Sequence, residues 1–154
     1  MNKPFNLAQT KTISLSFAQK FKEHQLPKVL ALTGELGSGK TTFVQFLAEA
    51  LGIKERILSP TFVITRSYLF FVNDQRFTLY HVDLYRLSKE EVKHIGLEEM
   101  INEPHSLVVI EWALKAKNLL PPNTLWLKFS YDGDKLRELK LSKEYRDLLI
   151  RNEV

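Results

Sequence analysis

Between the apolar run Lys28-Val-Leu-Ala-Leu-Thr33 and the stretch Thr42-Phe-Val-Gln-Phe-Leu-Ala-Glu-Ala-Leu51, the chain reads Gly34-Glu-Leu-Gly-Ser-Gly-Lys-Thr41. The first run has strand character. The second carries apolar residues at helical spacing and contains no Gly or Pro. A strand, a glycine-rich turn and a helix start together aim backbone N–H groups at an anion. The spacing G-x-x-x-x-G-K-[ST] is that of a phosphate loop, with Gly34, Glu35, Leu36, Gly37, Ser38 and Gly39 forming the wrap and Thr42 continuing into the helix. In such a loop Lys40 reaches the β- and γ-phosphates, and the Thr41 hydroxyl binds Mg²⁺. A chance Gly-rich turn is the competing explanation, and the strand and helix on its flanks argue against it. The motif implies a nucleoside triphosphate site in an α/β protein.

Composition removes several other chemistries. The 154 residues suit one domain, 1–154, with a sizeable core. There is no cysteine, which excludes disulfides, thiolate catalysis and Cys-ligated zinc. His24, His81, His94 and His105 show no metal-ligand spacing. No apolar stretch has the length of a membrane span, and the first residues lack the apolar segment of a secretory signal. Those features predict a cytoplasmic protein with no membrane partner. The net charge of +4 permits an anionic partner, but acids interleave with the basic residues from Lys135 to Arg151, so no basic stripe emerges.

Periodicity predicts an amphipathic helix from Thr12 to Lys22 with Ile13, Phe17 and Phe21 on one side, ended by Pro27. Two β-rich runs follow, Phe62 to Val72 and Arg76 to Tyr85, joined by a hairpin turn at Asn73-Asp-Gln. In the hairpin, Tyr68-Leu-Phe-Phe71 reads as core in preference to interface. Ser88 stands three residues before Glu91 in capping-box spacing, and a second short helix spans Leu97–Ile101 after Gly96. Leu107-Val-Val-Ile110 is a continuous apolar run, as in a strand buried on both faces. Thr124 to Tyr131 and Leu136 to Leu141 pair around Asp132-Gly-Asp134, and 143–151 reads as helix. The expected architecture is a single-domain, phosphate-loop type three-layer α/β sandwich with a mixed central sheet.

Mg²⁺ takes six oxygen ligands, and a carboxylate at the end of a neighbouring strand commonly helps hold it. Glu111 and Asp83 both qualify, because each follows an apolar run. The sequence does not divide metal binding from polarisation of the attacking water between them. A surface acid (Glu111) and an N-cap or an ion pair with Arg86 (Asp83) are the structural alternatives. Ser59-Pro-Thr61 places two hydroxyls about a restricted residue, as a nucleotide-sensing segment or an ordinary turn. Trp112 reads first as a packing residue. The N-K-x-D signature of guanine readout is absent, which favours ATP.

The set Gly34–Thr42, Ser59-Pro-Thr-Phe62, His81-Val-Asp-Leu-Tyr-Arg86, Ile110-Glu-Trp112 and Leu120-Pro121 resembles the TsaE (YjeE) family in order and spacing over most of the chain. Those are small bacterial ATPases of tRNA threonylcarbamoyladenosine synthesis. The resemblance implies a Mg²⁺-dependent ATPase that acts with a TsaB–TsaD-type pair at adenosine 37 of tRNAs reading ANN codons. It hydrolyses ATP to reset that pair and meets tRNA through the complex. By the same resemblance Gly37 to Lys40 wrap the phosphates, Thr41 ligates Mg²⁺, and Asp83 and Glu111 complete the metal and hydrolytic site. Ser59 and Thr61 belong to a first switch, Asp83 to Arg86 to a second, and Trp112 reports nucleotide binding. Nucleotide contacts fall near Gln9 and Thr12, and base contacts on Lys135 and Arg137, where this sequence reads Gly133-Asp-Lys-Leu-Arg137-Glu. Two other uses of a phosphate loop stand beside this one. A small-molecule kinase needs an Arg-rich lid, whereas Arg56, Arg66, Arg76 and Arg86 are scattered. A nucleotide-switched binding module needs no turnover.

Overall fold

The structure is a computed structural model and describes residues 6–132, 136–140 and 145–147, with 131, 132 and 136–140 described by their backbone. In chain order the elements are α1 (Leu7–Lys22), β1 (Val29–Thr33), α2 (Lys40–Ala50), β2 (Thr65–Val72) and β3 (Gln75–Asp83). They continue with α3 (Lys89–Val92), α4 (Leu97–Asn102), β4 (Ser106–Glu111), a 3-10 helix (Ala113–Leu119), β5 (Leu125–Asp132) and β6 (Leu136–Lys140). Among the described residues, six strands form one sheet in the order β2-β3-β4-β1-β5-β6. The inner four are mutually parallel, and both edge strands are antiparallel to their neighbours. The mixed three-layer α/β sandwich expected from the sequence is therefore what the chain forms.

Strand alternation assigns the two faces. Leu30, Leu32, Leu79, Leu107, Val109, Leu125 and Leu127 point into a cluster closed by Ile13 and Phe17 of α1 and by Phe43 and Leu47 of α2. Val29, Ala31, Val82, Val108 and Ile110 point the other way, against Val92, Leu97, Ile101, Ala113 and Ala116. Because both faces are covered, every residue of β4 is buried, as its unbroken apolar run predicts. Phe43 anchors the first face, edge-on to Phe17 at 5.3 Å and to Phe129 at 5.7 Å.

Five expectations are corrected. Helix α1 starts five residues earlier than Thr12, at Leu7, because Asn6 and Gln9 cap it reciprocally: Asn6 Oδ1 accepts from Gln9 N at 2.9 Å and Gln9 Oε1 from Asn6 N at 2.8 Å. That Asn-x-x-Gln spacing was present in the sequence. Strand β2 begins at Thr65, since Val63 and Ile64 N–H groups both turn back to the Pro60 carbonyl. Strand β3 stops at Asp83, where Leu84 N–H leaves for the Glu111 carbonyl. The hairpin turn is Asn73-Asp74 alone, both at positive φ (49° and 67°), and Gln75 already belongs to β3. The hairpin residues split by alternation, with Tyr68 and Phe70 in the core and Leu69 and Phe71 exposed. Of the expected terminal helix, 145–147 is helical and the remainder lies outside the described residues.

Candidate nucleotide site

From β1 the chain builds β4 on one side and β5 on the other, and that reversal of strand order opens a crevice at the carboxyl ends of the parallel strands, where open α/β sheets bind ligands. The phosphate loop lies there. Gly34 has φ +140°, and a Cβ there would stand 2.3 Å from the Phe129 carbonyl oxygen of β5, so on both counts the loop leaves β1 through bare backbone. Lys40, 4% exposed, folds over the loop and donates to the carbonyls of Gly34 (2.6 Å) and Glu35 (2.9 Å) and to Ser38 Oγ (3.4 Å). Its ammonium also lies 4.5 Å from the centre of the Trp112 ring. Burial lowers the Lys40 pKa below the ordinary lysine value, opposed by the carboxylates of Glu111 and Asp83.

The two acids end adjacent parallel strands in register, Asp83 of β3 beside Glu111 of β4. Both are buried, 5% and 2% exposed, which removes the surface-acid alternative for Glu111. Their hydrogen bonds separate them. Glu111 Oε1 accepts from the Thr41 hydroxyl at 2.8 Å. Asp83 Oδ2 accepts from the Thr61 hydroxyl at 2.8 Å, and Ser59 Oγ lies 2.7 Å from the same hydroxyl. The other Asp83 oxygen accepts from Tyr85 N–H at 2.9 Å, which bends the chain out of β3. Glu111 thus faces the phosphate loop, and Asp83 faces the Ser59–Thr61 segment. That segment is held by Ile64 at φ +69°, a conformation that costs a β-branched residue about 1–3 kcal/mol and that the Asp83 N–H to Ile64 carbonyl bond (2.8 Å) retains.

A cavity of about 220 Å³ is lined by residues 36–42 with Ser59, Thr61, Asp83, Glu111 and Trp112. Loop, hydroxyl and acid residues predicted from the sequence are thereby brought together. Gly34 and Glu35 instead line an adjoining apolar cavity of about 550 Å³ with Thr33, Leu36, Trp112, Leu114 and Lys115. Arg86 lines neither; its guanidinium lies 4.3 Å from the Phe62 ring centre and so joins the two predicted switch segments. Trp112, at φ +58°, packs its ring 4.9 Å from that of Tyr85 and borders both cavities. Gln9 and Thr12 lie in α1 with their side chains engaged there, Gln9 in the cap and Thr12 on the Ala8 carbonyl, and line neither cavity. Lys135 lies outside the described residues, and Arg137 is placed in β6 opposite Tyr131.

Two contributors escape the sequence reading. Lys115 Nζ donates to the carbonyls of Leu84, Tyr85 and Leu87 at 3.0, 2.6 and 2.8 Å, tying the chain after Asp83 to the 3-10 helix after Glu111. His81 Nε2 lies 2.7 Å from Glu111 Oε2. The i, i+2 relation of His81 to Asp83 on one strand was the available signal for the latter. Nothing in the sequence marks Lys115.

A family model described as threonylcarbamoyl adenosine biosynthesis protein TsaE matches residues 6–139. Proteins named tRNA threonylcarbamoyladenosine biosynthesis protein TsaE are similar to the chain in Bacillus subtilis, 40% identical over 72% of this chain and 66% of that protein, and in Rickettsia bellii, 34% identical over 89% and 90%. The aligned part spans just under two thirds of the Bacillus subtilis protein. The crystal structure of Bacillus subtilis YdiB superposes with a TM-score of 0.69 at 32% identity, covering 100% of this chain and 99% of that one. With the phosphate loop, the paired strand-end acids and these likenesses on one chain, the protein belongs to the TsaE family.

Proposed function

We propose that this protein is a Mg²⁺-dependent ATPase of the cytoplasm that serves formation of threonylcarbamoyladenosine at position 37 of tRNAs reading ANN codons. It works on a TsaB–TsaD-type pair, which carries the tRNA, and ATP hydrolysis resets that pair between turnovers. The observation that carries the reading is the 2.8 Å bond from the Thr41 hydroxyl to Glu111 at the mouth of the phosphate loop.

The residues present fit Mg·ATP. Hard oxygen donors from Thr41 and Glu111 converge beside the loop, with Asp83 next in register, which is the donor set Mg²⁺ prefers. Thr41, Glu111 and Asp83 are the residues that would hold the ion. Mg²⁺ supplies charge neutralisation on the phosphate oxygens and acidifies water. Lys40 exchanges its loop carbonyls for phosphate oxygens, and residues 36–42 present N–H groups to the same anion. Asp83 holds Thr61, and through it Ser59, over the cavity, so the presence of a terminal phosphate is communicated to the 59–64 segment.

The test is ATP hydrolysis with Mg²⁺, alone and with the TsaB–TsaD-type pair added. Strong stimulation by the pair, lost in folded Glu111→Ala, is the expected result. Wild-type turnover in Glu111→Ala overturns the assignment. The apolar cavity of about 550 Å³ beside the loop favours a second reading, a small-molecule kinase with its acceptor there. Transfer of labelled phosphate from ATP to a metabolite, with none to water, selects it.

A further inference from the structure

His81 is 0% exposed, at the inner end of a polar chain that starts at the phosphate loop. One oxygen of Glu111 takes the Thr41 hydroxyl, and the other lies 2.7 Å from His81 Nε2. A carboxylate only accepts hydrogen bonds, so Nε2 is the ring's donor toward Glu111, and of the two neutral tautomers this is the one that leaves Nδ1 as an acceptor. Nδ1 is buried and meets no hydrogen-bond partner among the described residues. Across the antiparallel β2–β3 pair, the residue directly opposite His81 is Arg66. Its Nε, a donor, is the other buried side-chain atom without a partner among the described residues. Opposed residues of such a pair share one face with their Cβ atoms about 4.5–5.5 Å apart. Two unmatched buried atoms of complementary kind thus come from neighbouring positions, where unmatched buried atoms are rare.

We propose that His81 is a positioning residue of this site and that Arg66 secures it from behind, directly or through one buried water. His81 fixes Glu111 with one oxygen turned inward, so the other is presented to Thr41. Arg66 Nε–H engages Nδ1 and so selects the Nε2–H tautomer. Released from His81, the carboxylate is free to turn toward the ammonium of Lys40, whose charge already feels it. The consequence for catalysis rests on the proposed role of Glu111 in metal binding; the tautomer and the Arg66 contact do not.

The test has two arms. In the first, ¹⁵N NMR of the nucleotide-free wild-type protein is expected to give a protonated Nε2 and a hydrogen-bonded, unprotonated Nδ1 for His81. Arg66→Met is expected to move the Nδ1 resonance to that of a free lone pair and to leave Nε2–H in place. An Nδ1–H tautomer, or an Nδ1 resonance indifferent to Arg66→Met, overturns the proposal whatever the catalytic result. In the second arm, His81→Leu and His81→Gln are compared after circular dichroism has established their fold. His81→Leu is expected to lower kcat with the partner pair and to weaken the Mg²⁺ dependence of nucleotide binding by about 10- to 100-fold. At saturating Mg²⁺ its KM for ATP is expected to stay within about threefold, because the phosphate loop is untouched. His81→Gln, which returns an N–H donor, recovers most of the loss. Equal loss in two folded variants overturns the positioning role. Should the wild-type protein hydrolyse no ATP under any condition, the proposed function fails, while NMR and calorimetry of Mg²⁺-linked nucleotide binding still decide this proposal.

Discussion

Replacing Gly34 by Ala isolates the close approach that lets the phosphate loop leave β1. The added methyl would stand 2.3 Å from the Phe129 carbonyl oxygen and 2.8 Å from Ser38 Oγ, where ordinary contact begins at 3.4 Å. The shortfall against the carbonyl exceeds 1 Å, and that oxygen belongs to a strand paired on both sides, so relief requires moving β5 or the loop. Overpacking of this kind costs about 1–3 kcal/mol. Holding alanine at φ +140° adds about 1–3 kcal/mol, for a total of roughly 2–6 kcal/mol. Gly37 of the same loop is an internal control, at φ +75° with no atom of the described residues within 4 Å of its would-be Cβ. There alanine meets only the left-handed penalty of about 1–2 kcal/mol, offset in part by about 0.4–1 kcal/mol from a stiffer unfolded chain. Urea unfolding is the assay, read as a change in midpoint at constant slope. In thermal terms Gly34→Ala is expected to lose about 4–24 °C, at about 2–4 °C per kcal/mol for a chain of this size. Equal losses for the two variants, within about 0.5 kcal/mol, refute the steric argument.

Other expectations follow from single contacts. Phe43→Ala empties the point where Phe17 and Phe129 meet and is expected to cost about 3–5 kcal/mol in urea unfolding. Lys115→Met leaves three carbonyls without their cation, at a cost of about 1–3 kcal/mol for a half-exposed group. Hydrogen exchange in that variant should accelerate from Leu84 to Leu87 and spare the β4 amides. Ser88→Ala removes one half of the capping box at α3 and should cost about 1 kcal/mol, measured by the same unfolding assay. The Tyr80 hydroxyl donates to Glu103, and that bond, with burial and the Glu103 charge, pushes its pKa up to about 12. The folded state therefore keeps the proton more tightly than the unfolded chain, whose tyrosines titrate near pH 10. Its stabilising contribution is fully present below about pH 10 and is lost as pH rises through about 12. Unfolding midpoints from pH 8 to 12 should fall less steeply in Tyr80→Phe.

The phosphate loop was legible because its requirements are local: glycines at the turn, a Lys-Thr pair and a helix start within one short stretch. Asp83 and Glu111 were legible as strand ends, since an apolar run followed by an acid is itself a local pattern. Their partners were not. Which acid faces Thr41 and which faces Thr61 depends on the strand order, and a one-dimensional pattern of alternation carries no neighbour list. The same limit hid Arg66, whose meaning comes from standing opposite His81, and Lys115, which acts on carbonyls 28–31 positions away. At Phe62 to Ile64 the β propensity is real, yet the Pro60 carbonyl captures two N–H groups and turns the chain before the ladder can form.

Asp83 and Glu111 are neighbours across a backbone ladder, so their separation is set by strand spacing, about 4.8 Å between parallel chains, and not by any loop. Lengthening the Asn73-Asp74 turn or the chain that follows Trp112 leaves that distance untouched. The acid pair is in this sense portable. A two-strand cassette ending in His-x-Asp and in Glu, set beside any phosphate loop with a free parallel neighbour, would arrive with its carboxylates already spaced, and only the hydroxyl segment would need to be rebuilt.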